Sequence, residues 1–245
     1  MRQVDAQQLS YRELNRQLKQ LIEQGESEIL LKNVNGQRYL GDGLNDRACL
    51  IIEGTPGNDL AAFANGIELI VRGNGQDGVG NTMNQGRVII HGQAGDILGY
   101  SMRGGLIYVR GNVGYRVGIH MKGYRDHQPT IIVGGSTGDF LGEYMAGGRL
   151  IVLGLDRKPG AAITGNHLAA GMHGGVIYIR DKIEEYKLGV EARALELNED
   201  DYCLLKELLA DYCREFDLDL EEIMRGTFTK LLPVSSRPYG NMYAY

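Results

Sequence analysis

The chain of 245 residues carries 36 Gly, 5 Pro and no Trp, is 43% apolar, and has a formal net charge of −5. That apolar content argues against disorder, glycine without proline argues against collagen or a flexible linker, and the acidic balance argues against nucleic-acid recognition. The length suits one domain or a solenoid with short flanks, and the apolar runs are strand-sized, far short of a membrane span.

In chain order, the polar start MRQVDAQQLS has no signal-peptide stretch and suits a cytoplasmic protein. Ser10 with Glu13 reads as a capping box and Leu9 with Leu14 as a hydrophobic staple. They predict a helix to about Gln24, stopped by Gly25. A strand over 28–34 and an Asn35-Gly36 turn lead onward.

A repeat follows. Gly54, Gly73, Gly92, Gly111, Gly135 and Gly154 each close an apolar strand, at intervals of 19, 19, 19, 24 and 19. Asp181 closes the next strand after an interval of 27. Leu50, Leu69, Val88, Ile107, Ile131 and Leu150 stand four residues before these anchors, and Ile52, Val71, Ile90, Val109, Val133 and Val152 stand two before. Alternation of this kind marks a strand with one buried face. Glu53, Arg72, His91 and Arg110, one before the anchor, face water.

After the anchors runs a second file of Leu60, Val79, Leu98, Val117, Leu141 and Leu168. A third comprises Ala64, Met83, Met102, Met121, Met145 and Met172, and between them lies a rung of Ala61, Gly80, Gly99, Gly118, Gly142 and Ala169. No unit is long enough to bury a core alone, whereas stacked units bury continuous columns. The expected fold is therefore an all-β core, a single-stranded right-handed parallel β-helix of about six to seven coils. The long intervals predict loops bulging over 123–129 and 157–166, suited to partner contacts.

Past Asp181, apolar residues at helical spacing (Leu204, Leu205, Leu208, Leu209, Tyr212) predict a helix over 198–216, with a shorter one over 219–225. The expected organisation is an N-terminal helix and lead-in strand over 1–45, coils over 46–181, and a C-terminal helical cap and tail over 182–245. Capping is expected because an open rod end exposes strand edges and apolar columns.

The phrases GDILGYSMRGGLIYVRG (95–111), GDFLGEYMAGGRLIVLG (138–154) and AAGMHGGVIYIRD (169–181) resemble the GXGXG domain that ends the large subunit of glutamate synthase. The same repeat occurs in one of the subunits of formylmethanofuran dehydrogenase, and FTKLLP (228–233), which is similar to the glutamate synthase closing segment, favours the former. The resemblance implies a free-standing version of that last domain, partnered by a glutaminase and an FMN- and iron–sulfur-containing synthase subunit. The catalytic residues of glutamate synthase lie in domains absent here, so it implies no catalytic, cofactor-binding or metal-binding residue in this chain and no cofactor of its own.

Other motifs bear on whether the chain has chemistry of its own. Gly73-Asn-Gly75-Gln-Asp-Gly78 matches GxGxxG, but the next strand begins too soon for a helix to hold a pyrophosphate. Asn58, Asp77, Asp96 and Asp139 form a column that suits Ca²⁺ in other β-rolls, but they read better as turn residues bonding their own backbone. His91, His120, His127, His167 and His173 show no HxxxH or HExxH spacing. Cys49, Cys203 and Cys213 form no CxxC and read as idle thiols in a reducing compartment.

The methionine file reads as core filling. Glu143, Asp139 and Asp126 form an acidic cluster near a loop. Without aromatic residues to stack a sugar, a β-helix carbohydrate-active enzyme is the remote alternative. The leading expectation is a scaffold and docking subunit of a split glutamate synthase, with a formylmethanofuran dehydrogenase-like redox complex as the alternative, and with no nucleic acid or membrane as partner.

Overall fold

The computed structural model describes residues 1–45, 47–123 and 126–235. Asp46, Tyr124, Arg125 and the last ten residues lie outside them, including part of the bulge expected over 123–129. The described residues form a parallel β-solenoid of about six turns. After two lead-in strands, β1 (Arg2–Asp5) and β2 (Glu28–Asn35), one strand per turn extends a continuous sheet: β3 (Cys49–Thr55), β4 (Asn65–Val71), β5 (Gln85–Ile90), β6 (Leu106–Val109), β7 (Thr130–Val133), β8 (Ala146–Val152) and β9 (Gly174–Ile179).

Register follows the sequence columns. Leu50, Leu69, Val88, Ile107, Ile131, Leu150 and Ile177 pair in succession, as do Ile52, Val71, Ile90, Val109, Val133, Val152 and Ile179. The first column begins one strand before the first glycine anchor, at Ile29, and the second continues through Leu31 to Val4 of β1. The other side of each turn stacks as regularly. The N–H groups of Gly80, Gly99, Gly118, Gly142 and Ala169 donate to the carbonyls of Leu60, Val79, Leu98, Val117 and Leu141 at 2.7–2.8 Å. Met83, Met102, Met121, Met145 and Met172 are all fully buried in the same core.

Helix α1 (Tyr11–Glu23) opens on the expected box: the Ser10 hydroxyl accepts the Glu13 N–H at 3.3 Å and Glu13 accepts the Ser10 N–H at 2.9 Å. Its Leu14, Leu18 and Ile22 join the rod interior, closing that end. Strand β1, ahead of the helix, was not foreseen; it pairs parallel to β2.

At the far end the chain forms β10 (Ala192–Leu195) and β11 (Thr229–Pro233), with β11 antiparallel to both β9 and β10. Leu231, Ile183, Leu188, Ala192 and Ala194 cover the last coil's interior. The helical segment does something further. Helix α2 (Glu199–Glu215), with α3 (Leu220–Met224), covers the outer side of the sheet. Ile89, Tyr108, Ile132, Ile151 and Tyr178 form a second core there with Leu205, Leu209, Tyr212, Cys213 and Ile223.

Polar contacts fix this cover at both ends. Near the C-terminal end of α2, Arg87 reaches Glu68 at 3.1 Å, Asp211 at 3.1 Å and Glu215 at 2.9 Å. The Tyr212 hydroxyl donates to the Val109 carbonyl at 2.9 Å. Near the N-terminal end, the buried Asp201 accepts from Tyr178 at 2.7 Å, from the Asn198 N–H at 3.0 Å and from Lys230 at 2.6 Å.

Burial alone would raise the Asp201 pKa, but the bonds from Lys230, Asn198 and Tyr178 together hold it below the ordinary carboxylate value. A carboxylate lowered on folding stabilises fully above the pH at which unfolded aspartate titrates, about 3.9, and less as pH falls toward the folded-state value. Asp201→Asn is therefore expected to lower the melting temperature at neutral pH, with the gap to wild type narrowing toward about pH 3. An undiminished gap in thermal melts at both pH values would show that the charge contributes nothing.

Candidate functional site

The corner glycines and their Asp and Asn neighbours form a ladder between coils. Asn74, Asp77, Asp96, Asn112 and Asp139 each accept, through Oδ1, the N–H of Gln93, Asp96, Tyr115, Ser136 and Asn166 in turn, at 2.7–2.9 Å. Of the column Asn58, Asp77, Asp96 and Asp139, expected to bond their own turns, the three aspartates instead accept from the backbone of the following coil. Each bond lies across a glycine. A Cβ on Gly92, Gly95, Gly114, Gly135 or Gly165 would collide with the same Oδ1 atoms.

The ladder includes the GxGxxG segment. Gly75 donates to the Gln93 carbonyl at 2.8 Å and Gly78 to that of Asp96 at 3.0 Å. The chain passes from β4 to β5 with no helix between. Two glycine N–H groups of the motif are thus committed to stacking between coils, and no helix N-terminus follows to hold a phosphate. Among the described residues, no three of His, Cys, Asp and Glu come together as a metal site.

The histidines are dispersed. His91 lies 3.9 Å from Glu215 and edge-on to Phe216. The His173 ring sits 3.3 Å from the Gly171 carbonyl. His120 stacks on Tyr144 at 5.3 Å and His167 on Phe140 at 4.9 Å. His127 lies in a groove with Arg103 and Lys122. In the acidic cluster, Glu143 is paired with Arg116 at 2.9 Å, Asp139 holds the Asn166 N–H, and Asp126 is exposed.

All three cysteines are free. Burial first, then nearby carboxylates, pushes the Cys49 and Cys213 thiols up to about 11, which removes the thiolate that reactivity requires.

One surface feature was missed in the sequence. Five residues after each of the first five anchors stand Asp59, Gly78, Ile97, Arg116 and Phe140, and nine after stand Phe63, Thr82, Ser101, His120 and Tyr144. All ten have positive φ, between 51° and 71°. For residues other than glycine this costs about 1–2 kcal/mol each. Bonds to the next coil hold the conformation: Thr82, Ser101, His120 and Tyr144 donate to the carbonyls of Tyr100, Ile119, Glu143 and Ala170 at 2.7–3.0 Å.

The rigid corners carry an outward ridge of rings. Tyr100 meets His120 edge-on at 5.9 Å, His120 stacks on Tyr144, and Arg116 lies 4.7 Å from the centre of Phe140. Phe63 and Tyr115 are more than half exposed. The recurrence of rings nine residues after the anchor, at Phe63, His120 and Tyr144, was the available signal. Aromatic and arginine side chains held rigidly at a surface are what protein interfaces favour. No described helix is long and apolar enough to cross a membrane.

Comparison with known proteins adds three findings. The family model described as GXGXG motif matches residues 12–234. A Methanocaldococcus jannaschii protein described as uncharacterized is 42% identical over 248 residues, covering 98% of this chain and 95% of its own length. A chain of the formyltransferase/hydrolase complex of Methylorubrum extorquens, crystallised with methylofuran, superposes with a TM-score of 0.64 at 17% identity, over 93% of this chain and 89% of that one. At that identity the likeness is one of fold.

Proposed function

The chain belongs to the GXGXG motif family, and from that premise we propose that it is a cytoplasmic scaffold and docking subunit of a split glutamate synthase complex. In such a complex, glutamine amide nitrogen moves to 2-oxoglutarate. The observation that carries the reading is the family match over 12–234, coupled to the identity of the residues inside the solenoid. The coils are filled with Ile, Val, Leu and Met, their corner N–H groups bond neighbouring coils, and Glu143 is ion-paired while Asp77, Asp96 and Asp139 are bonded to backbone. Glutaminase and FMN/iron–sulfur chemistry would come from partner subunits, which the rod holds in fixed relation so that ammonia passes without escaping. The ring ridge is a surface suited to such contacts.

A second reading is favoured by the superposition with a chain of the formyltransferase/hydrolase complex: a component of a redox complex, resembling the repeat-bearing part of formylmethanofuran dehydrogenase. Affinity purification from the native host separates the two. Co-purification of a glutaminase and a flavin- and iron–sulfur-absorbing protein is the expected result. Recovery with molybdenum or tungsten subunits would replace it with the second reading. Flavin or a metal cluster bound to this chain alone would overturn both.

A further inference from the structure

On the rod surface, opposite charges tend to stand one coil apart: Arg72 with Glu53 at 3.4 Å, Arg87 with Glu68 at 3.1 Å, and Arg116 with Glu143 at 2.9 Å. Among the cations, one column departs from this pairing. Directly after the buried Ala64–Met121 file come Asn65, Asn84, Arg103 and Lys122, in four successive coils. The N–H groups of Asn84, Arg103 and Lys122 donate to the carbonyls of Ala64, Met83 and Met102 at 2.8–3.0 Å, so these residues stand above one another along the rod. Arg103 and Lys122 are thus stacked like charges, roughly 4.8 Å apart at the backbone.

Like charges in adjacent strands destabilise a sheet. Among the described residues, neither cation has a carboxylate partner. The longer interval after Gly111 brings His127 over the same place. A Cβ built on Gly104, next to Arg103, would lie 3.7 Å from the His127 Cβ. Together Asn65, Asn84, Gln85, Arg103, Lys122 and His127 line a groove of about 440 Å³. Two cations, an imidazole and three amides converge there, and no described acid lines it, on a chain whose net charge is −5.

The other large grooves differ. The one beside α1, of about 490 Å³, holds Asp42 among Arg12, Arg16 and Lys19. In the one beside α3, of about 430 Å³, Arg110 and Arg157 are already paired with Asp156 and Asp181.

We propose that the groove lined by Arg103, Lys122 and His127 binds a small dianion, either a phosphate ester or a dicarboxylate. Arginine presents a fork to such oxygens and lysine a point charge, while Asn65, Asn84 and Gln85 bond the polar body of the ligand. A volume of this size accommodates a metabolite. The proposal stands independently of which complex the rod joins.

Calorimetric titration of the full chain with inorganic phosphate, and in a separate arm with succinate, tests it at physiological ionic strength, where exposed charges are screened. Saturable binding of at least one anion is expected, weakened about tenfold or more in Arg103→Ala/Lys122→Ala, a loss of about 1.4 kcal/mol. The variant's melting temperature should not fall, because both side chains are exposed. Phosphate binding alone assigns a phosphate ester, and succinate binding alone a dicarboxylate. Absence of saturation by either anion up to about 10 mM, or equal affinity in the double variant, overturns the proposal. Binding confined to a poly-glutamate peptide overturns it equally, assigning the groove to an acidic partner segment.

Discussion

Met145→Asp is expected to abolish cooperative folding, read as loss of the thermal transition and of strand circular dichroism. Met145 is fully buried in a file with Met121 and Met172. Its methyl group fills the space above Gly175, where a Cβ would lie only 2.5 Å from it. An aspartate there would leave an unpaired carboxylate among methionine and aliphatic side chains. Burying an uncompensated charge costs at least several kcal/mol, against a whole-domain stability of about 5–15 kcal/mol. Because each coil relies on its neighbours for its core, the damage is not confined to one turn. Met145→Leu, which conserves volume and polarity, should cost less than about 1.5 kcal/mol. Comparable damage from both substitutions would show that packing, not charge burial, limits this site.

The strand columns were legible because stacking forces equivalent positions into equivalent surroundings. Leu50, Leu69 and Val88 recur at the sequence interval and meet at that register. Two features stayed hidden, each for a physical reason. Ile89, Tyr108, Ile132 and Ile151 lie on the outer face, and alternation had marked only the inner face as buried. Their signal was present in the unbroken apolar runs VII, IYV, IIV and LIV, since strands covered on both faces read as continuous rather than alternating. Those runs required a cover, and the amphipathic 199–215 segment supplies it.

The Asp and Asn bonds were harder to foresee. Their partner is a backbone N–H a whole coil away, and a backbone donor leaves no residue type in the sequence. What marked it was glycine: Asn74, Asp77 and Asp96 are each followed 18 residues later by Gly92, Gly95 and Gly114. The candidate chemistry was legible mainly in outline. The GxGxxG, histidine and acidic motifs all resolved into stacking or surface contacts. The Arg103–Lys122–His127 groove depends on a loop of irregular length, so periodicity alone could not assemble it. His127 falls within that insertion, but its neighbours come from other coils.

The rung glycines allow a separation of two effects that usually act together. Gly99 has φ 69°, and a Cβ on it would run into the Cδ1 of Ile131. Alanine there meets both a conformational cost of about 1–2 kcal/mol and overpacking of about 1–3 kcal/mol. Gly36 has φ 83° but open space around it, so Gly36→Ala carries the first cost alone. For a chain of this size, each kcal/mol lowers the melting temperature by about 2–4 °C. Gly99→Ala should therefore melt well below Gly36→Ala.

The space argument has its own test in Ile131→Val, which deletes the offending Cδ1 at a cost of about 0.5–1.5 kcal/mol. Added to Gly99→Ala it should raise stability, although it lowers stability in the wild type. The native rod carries the same pairing at one end. Where the rung holds Ala61 in place of glycine, at φ 60°, the corresponding strand position is Val88, which has no Cδ1 to clear. Additive losses in Gly99→Ala/Ile131→Val would mean that the rung glycines are there for their dihedral angle alone. A positive coupling would tie the rod's narrow bore to the side chain each glycine faces.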